Sequence, residues 1–108
     1  MVDISYDELR RIQARERSEP SLVELRPDFY PKIKELLQEL NLGLKKNFSI
    51  AAAKEYENTI KILRDVVSKR EQKILGASLN VARGDYVIKN YLKEEEELLN
   101  NIVKILKD

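Results

Sequence analysis

Four consecutive glutamates, Glu94 to Glu97, form the densest group of side chains that could do chemistry. Carboxylates can bind a divalent cation, but neighbouring residues of a helix point about 100° apart, so these four would not converge on one ion. Acidic residues are favourable at the positive N-terminal end of a helix. We therefore interpret the run as a solvated helix start and expect no metal site there.

A second group of charged side chains could contact nucleic acid or an acidic partner, and it consists of Arg10, Arg11, Arg15 and Arg17. Acidic side chains are interleaved with these arginines at Asp7, Glu8 and Glu16. This mixing favours a salt-bridged surface over a basic patch. We keep Arg10, Arg11 and Arg17 as candidate contacts to a partner.

The composition excludes several classes of chemistry. The 108 residues contain no Cys and no His, which removes thiolate, imidazole and zinc-finger sites. Twenty basic and 19 acidic residues give a net charge of +1, so direct binding to nucleic acid is not favoured. No phosphate-binding loop is present. We expect no catalytic residue, no cofactor and no enzymatic activity.

The sequence shows neither a secretory signal at its N-terminus nor a membrane-spanning segment. The N-terminus lacks the apolar core of a secretory signal, and no apolar run approaches the roughly 20 residues of a membrane span. The hydrophobic share of 43% is enough for the core of one domain. We expect a single soluble intracellular domain that does not contact a membrane.

The positions of apolar residues predict an all-α fold, an elongated bundle of about four helices with one long central helix. The predicted helices cover about 5–17, 27–41, 49–83 and 92–106, and residues 21–25 form a packed connector. Ser5 and Glu8 have the spacing of a capping box, and Ile4 and Leu9 that of a hydrophobic staple. Asn41 and Gly43 are predicted to end the second helix.

The third helix carries a heptad pattern, Ala53, Tyr56, Ile60, Leu63, Val67, Arg70, Ile74, Ala77 and Val81. Arg70 is the one charge in this row, and a buried charge is costly unless it is paired. Arg70 therefore either extends to solvent or pairs with an acid of another helix, such as Glu16 or Glu19. The candidate residues for packing or a subunit interface are Tyr56, Ile60, Leu63, Val67, Arg70 and Ile74, with Leu98, Leu99, Ile102 and Leu106 on the last helix.

The length of the third helix has a consequence for assembly. Residues 49–83 would span roughly 50 Å, whereas a compact domain of this size is on the order of 35 Å across. Either a partner chain covers the apolar surface that remains, or the monomer is elongated, with the first and last helices laid end to end along the third. From this length we favour the partner and expect an oligomer.

Several segments, in this order along the chain, resemble the archaeal GINS proteins of the type whose helical domain comes first. They are Tyr6-Asp7-Glu8-Leu9-Arg10-Arg11-Ile12-Gln13, Glu16-Arg17-Ser18, Leu22 with Leu25, Asp28-Phe29-Tyr30, Tyr56-Glu57-Asn58 with Arg64, Arg70-Glu71-Gln72-Lys73-Ile74-Leu75, and Leu92 with the acidic run and Leu98. The resemblance covers nearly the whole chain. It departs from the family at Lys93, where a Ser or Thr cap is usual.

The resemblance implies a non-enzymatic scaffold in DNA replication. It implies assembly with other GINS subunits into a tetramer that joins the MCM helicase and a RecJ-like protein at replication forks in the cytoplasm. Such subunits usually carry a β-rich domain after the helical one. That domain is absent from residues 1–108, so this is either a helical-domain fragment or a short subunit. Two alternatives stay open, a nucleic-acid-binding helical module and a homodimeric bundle unrelated to replication.

Overall fold

The computed structural model describes residues 4–84 and 88–107 and contains four helices in that part of the chain. They are α1 (Tyr6–Ser18), α2 (Phe29–Lys46), α3 (Ile50–Ala82) and α4 (Lys93–Lys107). No strand occurs within these ranges. The predicted all-α fold with one long central helix is confirmed. Residues 85–87 of the predicted linker lie outside the described residues.

Two serines begin α1 and α3 as their sequence context predicts. The Oγ of Ser5 accepts a hydrogen bond from the Glu8 backbone N–H at 3.1 Å, and the Oγ of Ser49 accepts one from the Ala52 N–H at 3.0 Å. These bonds satisfy N–H groups that a helix start otherwise leaves free. Ile4 and Leu9 are both buried in one apolar cluster, as expected of a staple.

The predicted end of α2 is wrong. The helix continues through Asn41 and Gly43 to Lys46, and the Asn47 N–H closes its last turn on the Gly43 carbonyl. A glycine inside a helix costs about 1 kcal/mol, which neighbouring packing can offset. Half-buried Leu44 extends the apolar row of Leu40 beyond the glycine, and we attribute the longer helix to that packing.

The other three helices lie along α3. The α1 contacts advance in step with α3, from Gln13 with Asp65 to Glu16 with Arg70, so the two helices are parallel. The α4 contacts also advance, from Glu95 with Arg70 to the cluster that holds Leu99 and Ile74. Helix α1 therefore covers the N-terminal half of α3 and α4 covers its C-terminal half. Helix α2 packs antiparallel to α3, and the short turn at residues 47–49 connects the two helices.

This arrangement makes the molecule as long as its central helix. Its principal extents are 53 × 25 × 20 Å, and the radius of gyration is 16.3 Å, against about 13 Å for a compact domain of this length. The elongated shape drawn from the sequence is therefore observed, and the predicted partner chain stays a prediction. The long helix is continuous, and the helices packed along it divide its length between them.

The apolar core consists of two clusters at different levels of α3. The N-terminal cluster contains Ile4, Leu9, Phe29, Ile33, Ile62, Leu63, Val66 and Leu92. The C-terminal cluster contains Leu22, Ile74, Ile88 and Leu99. Leu22 and Val23 are buried, so the predicted packed connector is confirmed. Arg70 lies between the two clusters in the sequence of α3.

The buried row of α3 differs in frame from the predicted heptad. It consists of Thr59, Ile62, Leu63, Val66, Arg70, Ile74 and Ser78, whereas Ile60 and Val67 are only half-buried. The sequence pattern missed Thr59 and Ser78 because both are polar. Each hydroxyl donates a hydrogen bond to the carbonyl four residues earlier, which offsets the cost of its burial.

Candidate functional site

Arg70 lies at the point where the four helices meet, and its side chain is 0% exposed. Its Nε and Nη2 donate to the two carboxylate oxygens of Glu95 at 2.7 and 2.8 Å. Its Nη1 donates to Glu16 Oε2 at 3.0 Å and to the Val23 carbonyl at 2.9 Å. Its Nη2 also donates to the Asn90 carbonyl at 2.9 Å. A guanidinium has five N–H donors, and all five are used.

Glu16 connects this arginine to a second cation. Its Oε1 accepts from Lys73 Nζ and, at 3.3 Å, from the Val23 N–H. Lys73 also donates to the Ser21 carbonyl at 3.0 Å. Two cations therefore face two carboxylates, Glu16 and Glu95, and the group has no net charge. The predicted pairing of Arg70 with Glu16 is confirmed, whereas Glu19 pairs with Arg15.

Glu95 corrects the interpretation of the acidic run. Glu94, Glu96 and Glu97 are exposed, but Glu95 is only 6% exposed and points inward. Its Oε1 accepts from the Leu92 N–H at 2.7 Å, so Glu95 also caps α4. Its Oε2 accepts from the Tyr30 hydroxyl at 3.0 Å. The spacing of three from Leu92 to Glu95 was the signal in the sequence, because a capping glutamate has that spacing.

The surroundings shift the pKa values of Arg70 and Glu95 in the directions that keep both side chains charged. Burial alone would raise the pKa of Glu95, but hydrogen bonds from Arg70 and the Leu92 N–H outweigh it and the pKa is lowered. Burial opposes the charged form of Arg70 too, yet the two carboxylates raise its pKa. Burial and the neighbouring Glu95 carboxylate raise the pKa of Tyr30. Arg70 and Glu95 therefore stay charged near neutral pH.

The bonds of this cluster connect helices to one another. Arg70 has no free donor to offer a ligand, and its carboxylate partners are almost fully buried. One guanidinium joins α1, α3 and α4 directly and reaches α2 through Glu95 and Tyr30. Arg70 and Glu95 thus connect side chains of all four helices.

The surface offers an open apolar groove between α2 and α3. Its volume is about 350 Å³, and it is lined by Phe29, Tyr30, Ile33, Leu37, Ile60, Leu63, Arg64, Val67, Ser68 and Glu71. Most of these side chains are apolar, and Arg64 and Glu71 are the charged ones. A concave apolar surface of this kind is typical of a binding site.

The same side of α3 continues beyond the groove as an exposed apolar row. Leu75 follows Glu71 by four residues and Leu79 follows Leu75 by four, so all three lie on one face of the helix. Leu75 is 60% exposed and Leu79 is 42% exposed. At this end of the molecule, Ile105 and Leu106 of α4 are also exposed. Large exposed apolar side chains that follow one another on a helix face mark interaction surfaces.

The predicted site residues fall into three groups by burial. Leu63, Arg70, Ile74 and Leu99 are buried; Tyr56, Ile60, Val67, Leu98 and Ile102 are half-buried; and Leu106 is exposed. The half-buried residues of α3 include Ile60 and Val67 of the groove wall. The sequence alone could not show which members of the row face inward and which face the groove.

The three candidate arginines are exposed and do not converge on one site. Arg17 donates to Asp65 at 2.7 Å. Arg11 lies in a cleft with Arg15 and Glu24, between α1 and the start of α2. Arg10 lies elsewhere, beside Asn58 and Lys61. The structure therefore separates the residues that were grouped in the sequence.

No protein-family model matches this sequence, and no curated protein or solved structure matches it at a significant level. Within residues 4–84 and 88–107, no group of three or more acidic side chains is arranged to hold a metal ion. None of the helices in those ranges combines the length and the apolar character that a bilayer crossing needs.

Proposed function

We propose that the chain is a non-enzymatic scaffold that works through helix-face contacts to other proteins. The observation that carries the proposal is the apolar surface of α3, where the groove continues into exposed Leu75 and Leu79. Leaving apolar surface in water forfeits roughly 25 cal/mol per Å². A bound partner chain would recover that free energy.

The buried cluster supports this proposal because a scaffold must present its surfaces at fixed positions. Arg70 holds α1 and α4 at successive levels of α3 through direct bonds to Glu16 and Glu95. The groove at one level and the apolar end of α4 at another are thereby kept at a constant separation. Partners bound at the two places would be held in a defined arrangement.

The identity of the partners rests on the sequence resemblance. We propose that the chain is a GINS-type subunit that binds other GINS subunits and connects the MCM helicase with a RecJ-like protein at replication forks. The segments that carry the resemblance include the charged side chains of the Arg70 cluster, among them Glu16 and Lys73, and also Tyr30. A role as a nucleic-acid-binding module is less well supported, because the exposed arginines do not form a continuous basic face.

Affinity capture from cells that express the tagged chain tests this function. We expect MCM helicase and a RecJ-like protein among the captured proteins by mass spectrometry. The variant I105D places a charge on the apolar end of α4 and should reduce the recovery of at least one of them. The variant N101D is the matched control, because it adds the same charge at an exposed position of the same helix.

Circular dichroism of both variants establishes that each remains helical. If the folded wild-type chain recovers neither protein, the replication role is wrong. If it binds DNA directly instead, with an affinity that falls steeply as salt is raised, the nucleic-acid alternative replaces it.

A further inference from the structure

We infer that the groove and the exposed leucines of α3 are two halves of one self-complementary surface, and that its occupant is a second copy of this chain packed antiparallel along α3. This inference deepens the proposed scaffold function, since it names one partner. An isologous contact of this type requires that each copy carry both a receiving surface and the side chains that fill it. This chain carries both along α3, with α2 forming the other wall of the groove.

The receiving surface is the N-terminal half of this face. Ile60 and Val67 are half-buried and line the open groove together with Leu37 of α2. The filling side chains are Leu75 and Leu79 in the C-terminal half of α3, at 60% and 42% exposure. In an antiparallel pair, the C-terminal half of each helix lies against the N-terminal half of the other.

The charges between the two halves fix the register. Arg64 and Glu71 are exposed on this face, and neither forms an ion pair within residues 4–84 and 88–107. A two-fold axis between positions 67 and 68 places Arg64 of each copy opposite Glu71 of the other. The same register places Leu75 opposite Ile60 of the second copy and Leu79 opposite Tyr56. One arrangement therefore satisfies both the charges and the apolar side chains.

The long side of the molecule that carries α3 is large enough to hold a standard interface. In this register α3 overlaps its symmetry mate from Ala53 to Ala82, which is nearly all of Ile50–Ala82. The molecule is 53 Å long and 20–25 Å wide, so one long side offers on the order of 1,000 Å². A standard interface needs about 800 Å² from each partner.

Charge exchange tests the antiparallel register. Sedimentation equilibrium of the purified chain should give twice the monomer mass of 12.6 kDa. The single variants R64E and E71R each create two like-charge pairs across the axis and should weaken the dimer roughly tenfold. The double variant R64E/E71R restores opposite charges and should recover the wild-type dissociation constant. A monomer mass for the wild type, or a double variant that dissociates as readily as the single variants, would overturn the inference.

A cross-link provides a second measurement at the proposed axis. The chain has no cysteine, so a single introduced thiol reports on one position alone. Ser68 is exposed and adjacent to the axis, and the variant S68C should form a disulfide-linked dimer under mild oxidation. The variant S18C is the matched control on exposed Ser18 of α1 and should remain monomeric on a denaturing gel. Equal cross-linking of both variants would count against this face.

These results are independent of the replication role. A monomer that still captures the MCM helicase would overturn the self-pairing and leave the scaffold proposal intact, with another protein in the groove. A charge-dependent dimer that captures neither replication protein would support the self-pairing and remove the replication role.

Discussion

At the scale of single residues, Arg70 determines how the chain is held together. Burying a guanidinium is costly unless each donor finds an acceptor, and here two other helices and two connectors supply acceptors for all five. A lysine has only three donors and lacks the planar fork that binds both oxygens of Glu95. The position therefore favours arginine for its geometry as well as its charge.

The sequence predicted half of this cluster. An arginine inside an apolar row either extends to solvent or needs an acidic partner, and the sequence offered Glu16 and Glu19 as partners, of which Glu16 is the observed one. Glu95 could not be selected in the same way, because it lies among three other glutamates that are all solvent-exposed. Which of four neighbouring carboxylates points inward depends on how α4 is rotated about its axis, and that rotation is set by packing with α3.

The lowered pKa of Glu95 predicts loss of stability in acid. The unfolded chain binds a proton near the ordinary glutamate pKa of 4.5, while the folded chain resists protonation to lower pH. The stabilisation is therefore present above that pKa and is lost as the pH falls through the folded pKa of Glu95. The variant E95Q should be less stable at pH 7 by roughly 2–3 kcal/mol, and its deficit should shrink toward pH 3.

Urea unfolding at a series of pH values, at one protein concentration, measures this effect. The variant E97Q neutralises an exposed member of the same run and should follow the wild-type curve within about 0.5 kcal/mol. A deficit for E95Q that stays constant down to pH 3 would show that the Glu95 charge does not contribute to the pH dependence.

At the scale of elements, local signals predicted the starts of α1 and α3 and the end of α3 at Arg83 and Gly84, but not the end of α2. Ser5 and Ser49 each supply an oxygen to the first turn, and this interaction depends only on neighbouring residues. The end of α2 depended instead on whether Leu44 finds packing, which is a tertiary property. The buried row of α3 also differed from the predicted heptad for a tertiary reason, because α1 and α2 bury residues on both sides of that heptad.

The glycines of α3 and its C-terminal turn lead to opposite predictions. Gly76 lies inside the helix, and a Cβ added there would meet open space, so G76A should stabilise the protein by roughly 0.5–1 kcal/mol. Gly84 has φ +79°, a conformation that side chains disfavour, so G84A should destabilise it by about 1 kcal/mol. Thermal or urea unfolding of both variants measures the difference. Equal effects of the same sign would contradict this account of the helix end.

At the scale of the whole molecule, the length of α3 determined the shape and left the assembly open. A helix of this length follows from the absence of internal proline and from the cap at Ser49. An elongated monomer and a partner chain that covers the remaining apolar surface were posed as alternatives. The elongated shape is observed, yet α1, α2 and α4 cover α3 on some sides only and leave Leu75 and Leu79 exposed.

The division of the core into two clusters predicts that Arg70 couples the two halves of the molecule. The variant R70M leaves Glu95 buried without its cation and should cost roughly 3–5 kcal/mol. Among the described residues, the C-terminal cluster has fewer buried apolar side chains than the N-terminal one, so it should open first once the coupling is lost. Native-state hydrogen exchange should then show α4 amides losing protection before those of α1, whereas the wild type loses both together. The variant R10M, on an exposed arginine of α1, should leave the exchange pattern unchanged. A uniform loss of protection in R70M would mean that the two clusters unfold as one unit with or without the arginine.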